Sequence, residues 1–383
     1  MKRSYGLDGI RGYAAIAVTI YHAILFFNNS LVNDVLYKPI QEIDDLRLLF
    51  SKLLLILFNG ETAVILFFVM SGIVLFESLK RNEYLGGVIN SLVFIIKRVL
   101  RIYPTLIVSL VLFYVVMEVL NYLYPNTFTD FSINQLINNS LLYNISMHGA
   151  SWTLQVEIMA VLFIVLGFYI YKFSKLLGLI LFFLYSIIII DNPNIFIPLP
   201  INTAISICLI YFATGFLIST EIGKTIIESL SNKSWIATFI VFLAIRHIVP
   251  HSSFTGLVVQ DIASALFVGS VYYSKGEKIV KFLSNRFSVY LGKISFSFYL
   301  TNVIFLNIFC RLLLLIPIST NYYLEFGLLA SILTIVASLP LSHFIEKVIE
   351  QPSIKCGRKI ENAISSFVIR KKRHHEDVTM INT

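Results

Sequence analysis

The sequence predicts an all-α, polytopic membrane bundle of about ten helices with both termini cytoplasmic, and three observations lead there. Of its 383 residues, 57% are hydrophobic and only 14% are charged, and the mean hydropathy of +0.80 exceeds what a water-soluble core can hide. Apolar runs of about 18 to 25 residues recur, the length that crosses roughly 30 Å of hydrocarbon, while the short alternating segments of a β-barrel are missing. Basic residues, finally, fall almost wholly on alternate connections.

Taken in order, the runs place spans at 10–28, 58–78, 102–123, 152–171, 176–191, 201–219, 234–250, 256–273, 294–316 and 325–345. With the N-terminus inside, every basic residue except Lys38, Arg47, Lys52, Arg246 and Arg311 falls on the cytoplasmic side, as the positive-inside rule requires. The first run follows Lys2 and Arg3 but is interrupted by Arg11 and His22 and lacks a small-residue cleavage pattern, so it reads as a retained anchor. Residues 1–350 form one membrane domain and 351–383 a basic cytoplasmic tail, whose Arg370 to Arg373 cluster suits anionic lipid better than nucleic acid. Cys208, Cys310 and Cys356 have no metal-ligand spacing, and no metal is expected. The stretch 124–151, free of Lys and Arg, is expected to line an outer cavity mouth, with His148, like His247, His251 and His343, at a loop or helix end as a solvent-contacting or interfacial residue and not a catalytic one.

The chemistry concentrates in the first helix, "LDGIRGYAAIAVTIYH". Eleven residues at about 100° each bring Arg11 and His22 to one face, about 16 Å apart along the axis. Arg11 then stands at the cytoplasmic mouth and His22 near mid-membrane, where ionisable groups are rare and usually mark a functional path. Asp8 is expected as the helix N-cap, with Gly9 and Gly12 allowing backbone or ligand to come close. In "FIIKRVLRIYPTL", Arg98 and Arg101 are helical neighbours that could grip phosphates together with Arg11, although the positive-inside rule alone would also place them there. Pro104 is expected in the first turn of that helix. Glu61 and Glu157 are placed at the outer ends of the second and fourth spans, Glu157 bonding either a donor such as His22 or a polar ligand. Ser71 and Gly72 offer a small-residue surface for helix packing or room for a narrow ligand. A pantetheine arm covers about the 16 Å step given by helix rise, which suggests a coenzyme A thioester held by its phosphates with its acyl group delivered to His22.

The segments "LDGIRGYAAIAVTIYH", "FFVMSGIVLF", "KRVLRIYP", "SWTLQVE", "LGKISFSFYL" and "IEQPSIK" resemble, in order and spacing, the acyltransferase-3 family of multi-spanning membrane O-acyltransferases, over residues 5 to 355. The resemblance implies catalytic roles for His22 and Glu157, and a donor site at Arg11, Arg98, Arg101, Ser71 and Gly72. It implies transfer of an acetyl or other short acyl group from cytoplasmic acetyl-CoA or another acyl-CoA to a sugar hydroxyl of a lipid-linked or nascent surface glycan such as O-antigen or capsule, in a bacterial inner membrane. One departure stands out: relatives often end the ninth-span motif in histidine, where this chain has Thr301 and Asn302. With no hydrolase-like domain in the sequence, the chain is expected to complete transfer itself or hand the acyl group to a partner. The rival reading is a transporter or flippase without covalent chemistry, which paired inverted repeats would favour; none is visible.

Overall fold

The computed structural model describes residues 4–125, 127–192, 204–249 and 253–381. Its regular elements are all helical: α1 (Tyr5–Phe27), α2 (Leu46–Leu57), α3 (Gly60–Arg81), α4 (Gly87–Leu123), α5 (Ile133–Ser140), α6 (Ser151–Asp191), α7 (Ala204–Ile218), α8 (Glu221–Ser229), α9 (Ser234–Ile248), α10 (Phe254–Tyr272), α11 (Glu277–Leu283), α12 (Arg286–Leu314), α13 (Tyr323–Ile345) and α14 (Gln351–Ile381). Among the described residues seven helical stretches are long and apolar enough to cross a membrane, or eight if the bent pair α7 and α8 counts as one.

The sequence splits α6 into two spans, and the backbone shows how. Ser174 and Lys175 leave helical geometry, Lys175 with a φ of 24°, and the chain doubles back. Phe163 and Tyr185 consequently stack at 5.7 Å, whereas a straight helix would hold them about 33 Å apart. His251 lies outside the described residues.

α1 is the central post, packed most extensively on α12, then α13 and α3. Helix backbones come this close only without side chains between them. A Cβ on Gly292 would sit 2.0 Å from the Asp8 carbonyl oxygen, and one on Gly12 would sit 2.8 Å from the Gly292 nitrogen. Gly9 and Gly12 therefore admit α12 and α11, not a ligand. Gly72 has the same purpose on α3: its Cβ would lie 2.3 Å from the Phe212 carbonyl oxygen of α7. On the outside of α4, the exposed residues Val88, Leu92, Ile96, Val99, Ile107, Val111, Val115 and Val119 recur at helical spacing, an apolar stripe suited to lipid.

Several sequence expectations need correction. Asp8 is not the N-cap; Ser4 holds that position, and Asp8 lies one turn inside, 3.9 Å from Arg11. α4 starts at Gly87, so Pro104 is interior and not in the first turn. The 37-residue helix is about 55 Å long, longer than a bilayer core. His148 and His247 are buried, not solvent-contacting. The His148 ring bonds Ser151 Oγ at 3.2 Å and the Leu300 carbonyl at 3.0 Å, and its backbone N–H donates to Asn139, pinning the 124–151 connection to α12.

Three of the five basic residues that break the positive-inside pattern, Lys52, Arg47 and Arg311, bond to neighbouring segments. Lys52 is fully buried and donates to the carbonyls of Val35, Leu36 and Lys38. Arg47 pairs with Glu325 at 2.6 Å, and Arg311 donates to the Thr127 carbonyl and to Thr129.

Gly72→Val should therefore damage α3–α7 packing by roughly 1–3 kcal/mol, whereas Ser71→Ala removes one hydrogen bond to the Glu157 carboxylate, about 1.5–3 kcal/mol. Unfolding midpoints of each variant, in the wild-type and Glu157→Ala backgrounds of the detergent-solubilised protein, separate the two. The Ser71→Ala loss should vanish without Glu157 and the Gly72→Val loss should persist; an undiminished Ser71→Ala loss would contradict this division of the two residues.

Candidate active site

Two adjoining cavities run alongside α1. The first, about 430 Å³, is lined by Asp8 and Arg11 of α1, Ser71 of α3, Arg98 and Arg101 of α4, Thr153 and Glu157 of α6, Lys293 and Tyr299 of α12, and Glu350 and Arg358 near the C-terminus. α4 presents Arg98 and Arg101 three residues apart on one face. Arg98 is 7% exposed. Its guanidinium donates to Glu157, which also accepts from Ser71 Oγ at 3.1 Å. The pair ties α3, α4 and α6 together, and the Arg98 Nε–H is left without an acceptor. At the far wall a π-helical turn, Glu346–Glu350, brings Glu350 to the cavity, where it accepts from Ser297 at 2.7 Å, while Glu346, buried and outside the lining, pairs with the lining Lys293 at 3.1 Å.

The second cavity, about 760 Å³, opens around His22. Thr19, Tyr21, Tyr37, Glu61, Trp152, Tyr299, Asn302 and Asn307 line it with the imidazole. His22 is solvent-accessible within this space and meets the Tyr21 ring edge-on at 5.3 Å. Tyr21 in turn donates to Glu61 at 3.3 Å. Asn302 donates to Thr19 Oγ1 at 2.7 Å, one turn from His22.

Tyr299 belongs to both walls. Thr153 Oγ1 bonds its hydroxyl at 3.1 Å, and Phe67 packs against its ring at a centroid distance of 5.8 Å. It is the partition between the basic cavity and the histidine cavity.

The structure brings Arg11, Arg98, Arg101, Ser71 and Glu157 into one cavity and sets His22 in the next. Gly72 lines neither and serves helix packing. Glu157 was expected at the outer end beside His22 or a ligand; it lies with the arginines and pairs with Arg98. An ion pair this well buried holds the carboxylate at the level of its partner. The carboxylate in the His22 cavity is Glu61. Sequence reasoning assigned no role to Tyr299, Lys293 or Glu350, although all three lie in "LGKISFSFYL" and "IEQPSIK": for the last two, charged groups inside or beside apolar segments were the available signal.

Fold and site together define a multi-pass, all-helical membrane protein with a basic cavity behind a histidine-bearing one. The acyltransferase-3 family model, described as an acyltransferase domain, matches residues 4–343. No curated protein and no solved structure matches the chain. The chain belongs to the acyltransferase-3 family and is a membrane acyltransferase.

Removing Glu157 alone strands a buried guanidinium. Glu157→Ala should cost roughly 3–5 kcal/mol, and Arg98→Ala added to it should cost far less than the sum of the single losses. A double-mutant cycle of detergent unfolding midpoints measures this; strictly additive losses would show that the pair is not coupled.

Proposed function

We propose that the protein transfers an acetyl or other short acyl group from cytoplasmic acyl-coenzyme A to a hydroxyl of a surface-glycan sugar, at a bacterial inner membrane. The observation that carries this reading is the shared helix: α1 bears Arg11 on the wall of the basic cavity and His22, about 16 Å further along by helix rise, on the wall of the next. A donor of this class has anionic phosphates at one end and a thioester at the other, joined by a flexible arm of about that length. Phosphates at Arg11, Arg98 and Arg101 would put the thioester at Tyr299, and a swing of that ring would admit it to His22.

At His22 the acceptor oxygen bonds to the thioester carbonyl carbon while the imidazole takes the hydroxyl proton. Collapse of the adduct breaks the carbon–sulfur bond, and the leaving thiolate takes the proton from the imidazolium. The products are an ester and free coenzyme A. Glu61, Asn302 and Asn307 supply acceptors and donors for the sugar's other hydroxyls, with Trp152 as an apolar face. Glu157 acts on the donor side in this scheme, holding Arg98 in place.

His22→Ala should lower acylation of the host glycan at least about 100-fold, the lower range for loss of a general base, with coenzyme A binding unchanged. Nuclear magnetic resonance of O-acyl groups on glycan from complemented deletion strains reads this, and wild-type ester content in the variant would remove the proposal. Tyr299→Phe, which keeps the ring and loses the bond with Thr153, should leave the rate within a few-fold. Tyr299→Ala, which joins the cavities, should raise acyl-coenzyme A hydrolysis relative to transfer in the purified enzyme; unchanged partitioning would show that the ring is no barrier.

A further inference from the structure

A third cavity, about 520 Å³, opens between the end of α3, the first half of α4 and α14. It shares Arg81, Arg98, Arg101 and Arg358 with the wall of the first basic cavity, so the two adjoin along these arginines. We propose that this outer part seats the nucleotide end of the donor, with its ribose phosphate between Arg81 and Arg358 while the diphosphate keeps to Arg98 and Arg101, and that α14, which begins beyond the family-matched residues, is a working wall of the site. The inference rests on acyl-coenzyme A being the donor.

The charges argue for an anion. Lys97 and Arg98 each have a carboxylate, Glu361 at 2.8 Å and Glu157 respectively. Arg81, Arg101 and Arg358, from three different helices, have none at ion-pair distance among the described residues, and although Glu77, Glu350 and Glu361 share the lining, cations still outnumber carboxylates there. Bringing such groups to one cleft is unfavourable unless something negative joins them. The buried Arg98 Nε–H without an acceptor points the same way, because guanidinium forks match phosphate oxygens.

The position of α14 is fixed, not incidental. Glu361, one turn from Arg358, accepts from both Lys97 and Asn82, and Tyr84 donates to Ser365 at 2.9 Å. Gly357 faces the Lys97 side chain at ordinary packing distance. These contacts turn Arg358 toward α3 and α4. The tail expected to rest on lipid is, through its first half, part of the cleft. The shared chemistry is a phosphate ester, and an anionic lipid headgroup is the other possible source.

Full-length protein in phosphatidylcholine nanodiscs, titrated calorimetrically with coenzyme A, tests the assignment. Arg81→Ala and Arg358→Ala should each weaken binding about 10-fold or more, the loss expected for a charge-assisted hydrogen bond. Arg358→Lys should recover part of the loss, at an unfolding midpoint equal to wild type. Wild-type affinity in both alanine variants overturns the proposal and leaves the donor reading standing. If those variants instead lose only retention on phosphatidylglycerol vesicles, with coenzyme A binding intact, the arginines serve lipid and the proposal is again overturned. Absence of coenzyme A binding by the wild-type protein would remove the donor reading itself.

Discussion

A guanidinium buried among apolar helices needs a counter-charge, and Arg98 finds one in Glu157. Because Ser71 also donates to that carboxylate, the pair fixes the relation of α3, α4 and α6 at the point where they enclose the basic cavity. Buried pairs of this kind add little net stability, since desolvation offsets attraction. Their consequence here is geometric. One side of the guanidinium is committed to Glu157 while its Nε–H stays open, and Arg101, on the next turn, carries no such pair. The cavity is thus assembled by one arginine and left cationic by its neighbours.

α1 supplies the long dimension. Its glycines let α12 approach so closely that Tyr299, seven residues beyond Gly292, reaches the junction between the cavities. The same contact sets Asn302 against Thr19, so that the wall opposite His22 is built from α12. His148 anchors the 124–151 connection to the Leu300 carbonyl, next to Tyr299, and places Gly149 and Ala150 on the rim of the His22 cavity. The partition is held from both sides, by the Thr153 bond to its hydroxyl and by the loop behind its backbone.

Much of this was legible in the sequence because a bilayer imposes strong rules. Apolar length gave the long helices, including the two halves of α6, although against the ten spans expected seven or eight stretches among the described residues are long and apolar enough to cross. The interruption of an apolar run by Arg11 and His22 marked the post on which the two cavities are strung. What could not be read was anything set by partners distant in the chain. Glu157 was displaced in depth because its position depends on Arg98, 59 residues earlier. Gly72 read equally as packing or ligand space until α7 was in place. The N-cap and Pro104 were misplaced because α1 and α4 extend beyond their apolar runs, and helix ends outside the hydrocarbon leave no hydropathy signal. The docking of α14 depends on Glu361 meeting Lys97 and Asn82, contacts that composition alone hides behind a basic tail.

The central claim is that one donor spans from the arginines to the imidazole, past Tyr299. An electron cryomicroscopy structure with a non-hydrolysable acyl-coenzyme A analogue tests it most directly. Continuous ligand density should run from phosphates at Arg98 and Arg101 to an acyl carbonyl within hydrogen-bonding reach of His22, with the Tyr299 ring swung from its present place. Phosphates seated elsewhere, or an acyl end that stops in the basic cavity while Tyr299 keeps its bond to Thr153, would contradict the account.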